Sequence, residues 1–329
     1  MDPSKVKVPP MMDLTIDNIT ENAIRVSSQG PNARYKFLIE RLITHVHNFA
    51  RETRLSSEEW MGAINYLTKT GQTCTDVRQE FILLSDVLGL SLLVDAINHP
   101  KPPGVTEGTL LGPFHTHEAE DMPNGDNLSH DPKGELCLVV CTVKDKEGNP
   151  IEGVKIDIWE ADSSGHYDVQ YADRDGPDGR CVMRSDKDGI FWFKATKPVP
   201  YPIPDDGPVG QLLKALHRHP MRPSHVHFMF EKPGWDHLIT ALYLNGDPYA
   251  TSDAVFGVKK SLLFDYQEAD EAMAKKYDVK PGTATIKYDF TLITAKESSK
   301  LRDAQSMKAL EALGRKVKIL DGLPVPDVD

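Results

Sequence analysis

The chain has 329 residues, 40% hydrophobic and 26% charged, with a formal net charge of −11. That size suits one large globular domain or two ordinary ones with a true core, and the acidic balance offers neither counterion-release affinity for nucleic acid nor general attraction to an anionic membrane. No apolar run is long enough to span a bilayer, the N-terminus lacks an apolar signal core, and the four cysteines (Cys74, Cys137, Cys141, Cys181) show no CxxC pair and no disulfide-framework spacing, so the expectation is a cytoplasmic protein with reduced thiols.

The first third reads as helical. Residues 32–54 place Leu38, Leu42, Val46 and Phe49 at helical spacing. Ser56 and Glu59 have the spacing of a capping box opening a second helix, SSEEWMGAINYLTKTG. A third helix is expected through DVRQEFILLSDVLGLSLLVDAINHP, ending before Pro100; its apolar residues exceed one stripe, so it should pack on two sides.

Residues 101–135, rich in Pro, Gly and Asp, read as a linker or long surface loop. Beyond them the period becomes alternating. Strands are expected at Cys137–Val143, Val154–Trp159, Ile190–Lys194, His225–Phe230, Ile239–Leu244 and Thr285–Leu292, separated by turn signals such as KEGNP and SDKDG. Many short strands of this kind predict a β-sandwich, and Ser298–Val317 returns to a helical pattern.

The segment MRPSHVHFMF carries the most chemistry. Side chains two apart on a strand share a face, so His225 and His227 can reach one metal while Val226 enters the core. His115/His117 fall in the linker, and His217/His219 at the end of a short helical segment, where this spacing does not converge; these extra histidines are assigned to surface or packing roles. A histidine pair alone is often structural and names no metal. Tyr167 follows the strand ending near Trp159. Tyr201 lies in KPVPYPIP, where prolines stiffen the loop. A lone tyrosine is usually packing. Phenolate, however, is a hard anionic ligand that favours ferric iron. Asp162 and Asp168 are also near and more often cap such loops.

Taken together, GTLLGPFH, IWEADSSGHYDVQ, FWFKATKPVPYPIP and RPSHVHF resemble the intradiol ring-cleavage dioxygenases, within them the catechol and hydroxyquinol 1,2-dioxygenase branch, over roughly residues 30–295. The resemblance implies a mainly β fold: a mixed β-sandwich catalytic domain (106–295) with an N-terminal α-helical dimerisation domain (1–105) and a C-terminal extension (296–329). It implies Fe(3+) held by Tyr167, Tyr201, His225 and His227. Tyr201 would be the axial ligand that leaves as the diol binds and accepts a substrate proton. Arg222 matches the family's active-site arginine, which stabilises negative charge on the ring. The implied substrate pocket comprises Leu83, Asp86, Leu110, Leu111, Gly112, Pro113, Phe114, Ile203, Pro204 and Val255.

Asp86 stands out among these apolar positions. Catechol-specific relatives tend to carry an apolar residue or proline here and hydroxyquinol-type relatives an acid, so the expected substrate is hydroxyquinol (1,2,4-trihydroxybenzene), cleaved with O2 to a ring-opened dicarboxylate; catechol is the alternative. An Asp86 facing solvent would read nothing. Relatives in this branch are homodimers joined through the N-terminal helices, some with a phospholipid in a tunnel there, and both expectations extend to this chain. Two rivals stand beside this reading. The run GNPIEGVKIDIWEADSSGHY also resembles transthyretin-like binding modules, and a zinc hydrolase could use the histidines if a third ligand lay near.

Overall fold

The computed structural model describes residues 13–327 except 77, 174–175, 315 and 321–322. Residues 1–12 of the expected N-terminal domain and residue 77 of the expected third helix lie outside them. The chain divides into two compact units, Met1–Leu67 with Asp303–Asp329, and Thr68–Arg302.

In the first unit, α1 (Ile19–Ser27) packs along α2 (Ala33–Thr53), whose first turn is capped by the Asn32 side chain accepting from the Tyr35 N–H. The expected capping box opens α3 (Ser57–Thr73): the Glu59 N–H donates to Ser56 Oγ at 3.1 Å, and the Ser56 N–H to Glu59 Oε2 at 2.8 Å. The α2 stripe of Leu38, Leu42, Val46 and Phe49 is exposed.

The second unit opens with a departure from expectation. The third helix is two, α4 (Glu80–Val87) and α5 (Leu90–Asn98), broken where Gly89 takes φ +76°. A helix cannot continue through a left-handed residue. The break frees α4 to bury Leu83, Asp86 and Val87, while Phe81, Ile82, Leu90, Leu93, Val94 and Ile97 stay exposed.

Nine strands of this unit form two facing sheets. One has the order β10 (Gln267–Glu268), β11 (Ala284–Leu292), β1 (Leu136–Asp145), β4 (Ile190–Thr196). The other has the order β3 (Arg180–Arg184), β2 (Lys155–Trp159), β7 (His225–Glu231), β8 (Leu238–Leu244), β9 (Leu263–Phe264). β1 runs parallel to β11 and β8 to β9, the other pairs antiparallel: the sandwich is mixed, as expected. Alternation builds the core. Val139, Cys141, Phe191, Phe193, Ile286 and Phe290 of one sheet pack with Ile156, Ile158, Val226, Phe228, Phe230 and Leu242 of the other. The opposite face of the second sheet is therefore left to Trp159, His225, His227, Met229 and Tyr243.

Residues 101–135 are more than a linker. The Leu128 side chain enters the sandwich core, and Asp121 and Asn127 bridge to β3 and β4. Proline and glycine mark the absence of regular structure there, not the absence of burial. Unanticipated elements include α1, β3, β9, β10 and α7 (Glu271–Tyr277), the last capped by the Asp270 side chain. The short ladder of β5 (Tyr201–Pro202) with β6 (Met221–Arg222) precedes and follows α6 (Pro208–Ala215). The expected C-terminal helix is α8 (Ala295–Ala312); Val317, expected inside it, begins a hairpin of β12 (Val317–Leu320) and β13 (Leu323–Pro326) after Gly314 at φ +67°.

Candidate metal centre

Four side chains distant in sequence meet over β7. Tyr167 Oη lies 3.0 Å from Tyr201 Oη, Tyr201 Oη 3.2 Å from His225 Nε2, and His225 Nε2 3.1 Å from His227 Nε2. The two histidines share a face because strand side chains alternate; Val226 between them is wholly buried in the core. Tyr201 is placed by the two-residue ladder that pairs it with Arg222. Its Cβ passes close to Gly165, which has φ +81° and where an added Cβ would come within 2.7 Å. Tyr167 opens a single 3-10 turn whose ends are tied by the Gln170 side chain accepting from the Tyr167 N–H.

The donor set fits a metal. Ligands bonded at about 2.1 Å to one ion sit about 3.0–3.4 Å from one another in square or tetrahedral arrangements, and the observed spacings match. Burial pushes both phenols up, Tyr167 well above its ordinary value, with Tyr201 adding to the effect there and the Arg222 charge opposing it at Tyr201. Burial, with the Arg222 charge, pushes both imidazoles well below theirs. The histidines are thus neutral, with lone pairs to give. The phenols have strong reason to ionise only beside a multivalent cation. His225 Nδ1–H donates to the Pro223 carbonyl at 2.7 Å, leaving Nε2 as the donor atom that faces the cluster. Among the described residues, no group of three or more His, Cys, Asp or Glu is arranged to hold a metal, so the further nitrogen or carboxylate that a zinc hydrolase needs does not accompany this pair.

Arg222 stands at the same centre. Its Nη1 is 3.0 Å from His225 Nε2, its Nη2 donates to Tyr243 Oη at 3.1 Å, and its Nε donates to Asp253 Oδ1 at 3.2 Å. Tyr243 and Asp253 are residues that sequence reasoning passed over. Alternation in LITALYL held the signal for Tyr243, which lies opposite His225 in register; nothing local marked Asp253.

The ten expected pocket residues do not form one lining. Leu83, Pro113, Phe114, Ile203 and Pro204 line a cleft of about 470 Å³ together with Val169, His166 and Gln170. Asp86, Leu110, Leu111 and Gly112 line another of about 500 Å³. Val255 is buried between these groups, in one apolar cluster with Leu83, Leu110 and Ile203. Phe114 stacks on Tyr167, ring centroids 4.7 Å apart, which carries the first cleft to the phenol cluster. Asp86 is 3% exposed, so the solvent-facing alternative does not hold. Burial pushes its carboxyl up to about 6, and a Ser91 hydrogen bond and the Arg222 charge oppose that rise.

The remaining polar residues near the centre have structural work. Asp168 is paired with Arg180 inside the protein, and that guanidinium also donates to the Phe114 carbonyl at 3.0 Å. Asp162 accepts from the Ser164 and His166 N–H groups and from Tyr171 Oη. His115 packs edgewise on Trp159, and His219 bonds Ser252 beyond the end of α6. All four cysteines are free. Among the described residues no helix is long and apolar enough to cross a membrane.

Comparison with known proteins follows the same lines. Residues 110–293 match the family model described as Dioxygenase, and residues 32–106 that of the Catechol dioxygenase N terminus. The intradiol ring-cleavage dioxygenase hqdA of Aspergillus niger is 67% identical over 329 residues, the whole of both chains. The 6-chlorohydroxyquinol 1,2-dioxygenase of Cupriavidus pinatubonensis is 46% identical over 282 residues, 86% of this chain and 99% of that one. Among solved structures, hydroxyquinol 1,2-dioxygenase from Pseudomonas putida DLL-E4 superposes with a TM-score of 0.79 at 42% identity, covering 84% of this chain and 98% of that one. Catechol 1,2-dioxygenase from Acinetobacter radioresistens gives 0.74 at 26% identity, covering 85% and 94%.

Proposed function

This chain belongs to the intradiol ring-cleavage dioxygenase family, and from that premise we propose that it cleaves hydroxyquinol between its adjacent hydroxyls, using Fe(III) held by Tyr167, Tyr201, His225 and His227. The observation that carries the reading is the convergence of two phenol oxygens and two imidazole nitrogens at 3.0–3.2 Å. The iron, when bound, supplies a Lewis-acidic centre at which an aromatic diol is acidified and activated toward O2.

The protein's residues do the rest. Tyr201, as phenolate, accepts a proton from the incoming diol. Its neighbour in the ladder, Arg222, presents a positive charge fixed by Asp253 and Tyr243, placed to stabilise negative charge that develops on the ring. Phe114, Leu83, Ile203 and the flanking prolines supply an apolar cleft that clamps the arene. Leu110, Leu111, Gly112 and Val255 complete the surroundings, and Gly112 takes φ +74°, a left-handed conformation that favours glycine, beside the His227 ring.

Two observations favour hydroxyquinol over catechol. Relatives named for hydroxyquinol cleavage are 40–49% identical, whereas the catechol 1,2-dioxygenase of Candida albicans is 38% identical. Asp86 is a buried carboxyl with a Ser91 hydrogen bond, lining the cleft beside Leu110, Leu111 and Gly112, and a third hydroxyl reaching it from the arene cleft would add a second partner, worth about 1–3 kcal/mol.

The purified protein should be purple to red from phenolate-to-iron charge transfer, bleach on iron removal, and consume O2 with hydroxyquinol. A colourless, iron-free active preparation would overturn the assignment. An unchanged hydroxyquinol-to-catechol ratio of kcat/KM in Asp86→Ala would remove Asp86 from specificity.

The proposal extends to a cytoplasmic homodimer. Four free cysteines suit a reducing compartment. The exposed stripe Leu38, Leu42, Val46, Phe49 on α2 is the kind of apolar surface that a second copy covers, and a phospholipid could share such a surface. Light scattering on wild type and Leu42→Glu, with mass spectrometry of an organic extract, tests both.

A further inference from the structure

His225 and His227 are both buried imidazoles on β7, yet their rings are held by different means. The Pro223 carbonyl accepts the Nδ1–H of His225 and so sets that ring's tautomer and rotation. Nδ1 of His227 is buried as deeply and has no hydrogen-bond partner among the described residues. What lies against the His227 ring is Trp159. The two residues are opposite one another in register across β2 and β7, and indole and imidazole are parallel within 3°, centroids 4.7 Å apart. Both side chains are 1% exposed.

We infer that Trp159 is the positioning residue of His227, setting by ring stacking the orientation that a hydrogen bond sets for its neighbour. The inference rests on the reading of His227 as an iron ligand. Turning the imidazole about its Cβ–Cγ bond would drive its edge into the indole face, so the stacked orientation is the one the packing admits. Metal-bound histidines are ordinarily oriented by an acceptor on the second nitrogen, and losing such an outer partner weakens metal affinity about 10- to 100-fold. Among the described residues no protein acceptor faces His227 Nδ1, so the flat indole carries that task. The same indole receives the edge of His115, centroids 4.7 Å apart, which holds it from a further direction.

The test compares Trp159→Phe, which keeps a flat ring, with Trp159→Met, which keeps an apolar side chain of a size near phenylalanine's but not planarity. Phe290→Leu, in the sandwich core, serves as a control for general loosening. On iron-loaded proteins the readouts are the rate of iron release to excess chelator, the visible charge-transfer band and the melting temperature. Trp159→Met should release iron about 10- to 100-fold faster than wild type with a shifted band. Trp159→Phe should stay within about threefold, and Phe290→Leu should melt lower yet release iron at the wild-type rate. Wild-type release from Trp159→Met, or release from Phe290→Leu as fast as from Trp159→Met, overturns the inference. Should Trp159→Met not fold, Trp159→Phe decides alone: folded protein losing iron more than about tenfold faster counts against stacking by a flat ring. Wild type that binds no iron would instead sink the ligand reading from which the inference starts.

Discussion

The guanidinium of Arg222 and the carboxylate of Asp253 face each other inside the protein, Nε to Oδ1 at 3.2 Å, with side chains 3% and 2% exposed. Asp253 also accepts from the N–H groups of Val255 at 3.3 Å and Gly257 at 2.9 Å, so the acid is itself held by the loop it belongs to. The pair aims the remaining arginine nitrogen at His225 Nε2.

Removing one member of a buried ion pair strands the other. Asp253→Ala should lower unfolding free energy by about 3–5 kcal/mol, and Asp253→Asn by less, because the amide still accepts a hydrogen bond. Urea denaturation measures both. A loss below about 1 kcal/mol in Asp253→Ala would mean that Arg222 has another way to balance its charge.

Asp86 predicts an unusual pH dependence. Its carboxyl is pushed up to about 6 by burial, from 3.8. Between roughly pH 4 and 6 the folded chain keeps a proton that the unfolded chain has released, so the folded state binds more protons and Asp86's contribution to stability falls as pH rises. Above that window the loss is constant, about 3 kcal/mol for a rise from 3.8 to about 6. Asp86→Asn should therefore match wild type near pH 4 and be more stable at pH 8, by up to that amount. Parallel stability curves for the two proteins across the range would contradict it.

The two tyrosines should respond differently to loss of the hydroxyl. Tyr201→Phe removes the proposed proton acceptor, and its kcat/KM should fall by about 10²–10⁴. Tyr167→Phe removes a proposed ligand to which no proton transfer is assigned, so its main effect should be on iron retention, read by metal analysis after dialysis. Equal defects in both measurements would erase the distinction between their roles.

Gly165→Ala tests how tightly Tyr201 is seated. The residue has φ +81°, and an added Cβ would lie 2.7 Å from Tyr201 Cβ, with no flexible side-chain end to move aside. Strain and overlap should cost about 1–3 kcal/mol. The displaced phenol should alter the charge-transfer colour as well as the melting temperature. An unchanged spectrum with a lowered melting temperature would separate the glycine's backbone role from the seating of Tyr201.

Much of this was legible in the chain. The capping box at Ser56 and Glu59 and the strand alternation around Val226 are local patterns, and both stand in the structure. The split at Gly89 was not legible. A glycine within an apolar run is compatible with a continuing helix, and only packing around Leu83 and Val87 selects the left-handed turn. β3 was missed because Arg180 looks like a surface residue until Asp168 and the Phe114 carbonyl neutralise it in the interior. How the expected pocket residues divide was not legible either: Leu83, Pro113, Phe114, Ile203 and Pro204 line one cleft and Asp86, Leu110, Leu111 and Gly112 another, and that partition depends on where α4 lies against the loop at 109–114.

Strand periodicity places His225 and His227 on one face whatever the rest of the chain does, while Tyr167 and Tyr201 joined them as proposed ligands only through the resemblance of the motifs around them. Tertiary structure alone decided how those donors are held. The Trp159 stack, the Asp253 anchor and the burial of Asp86 are contacts between segments far apart in sequence, and a contact of that kind arises from packing, which no local pattern encodes.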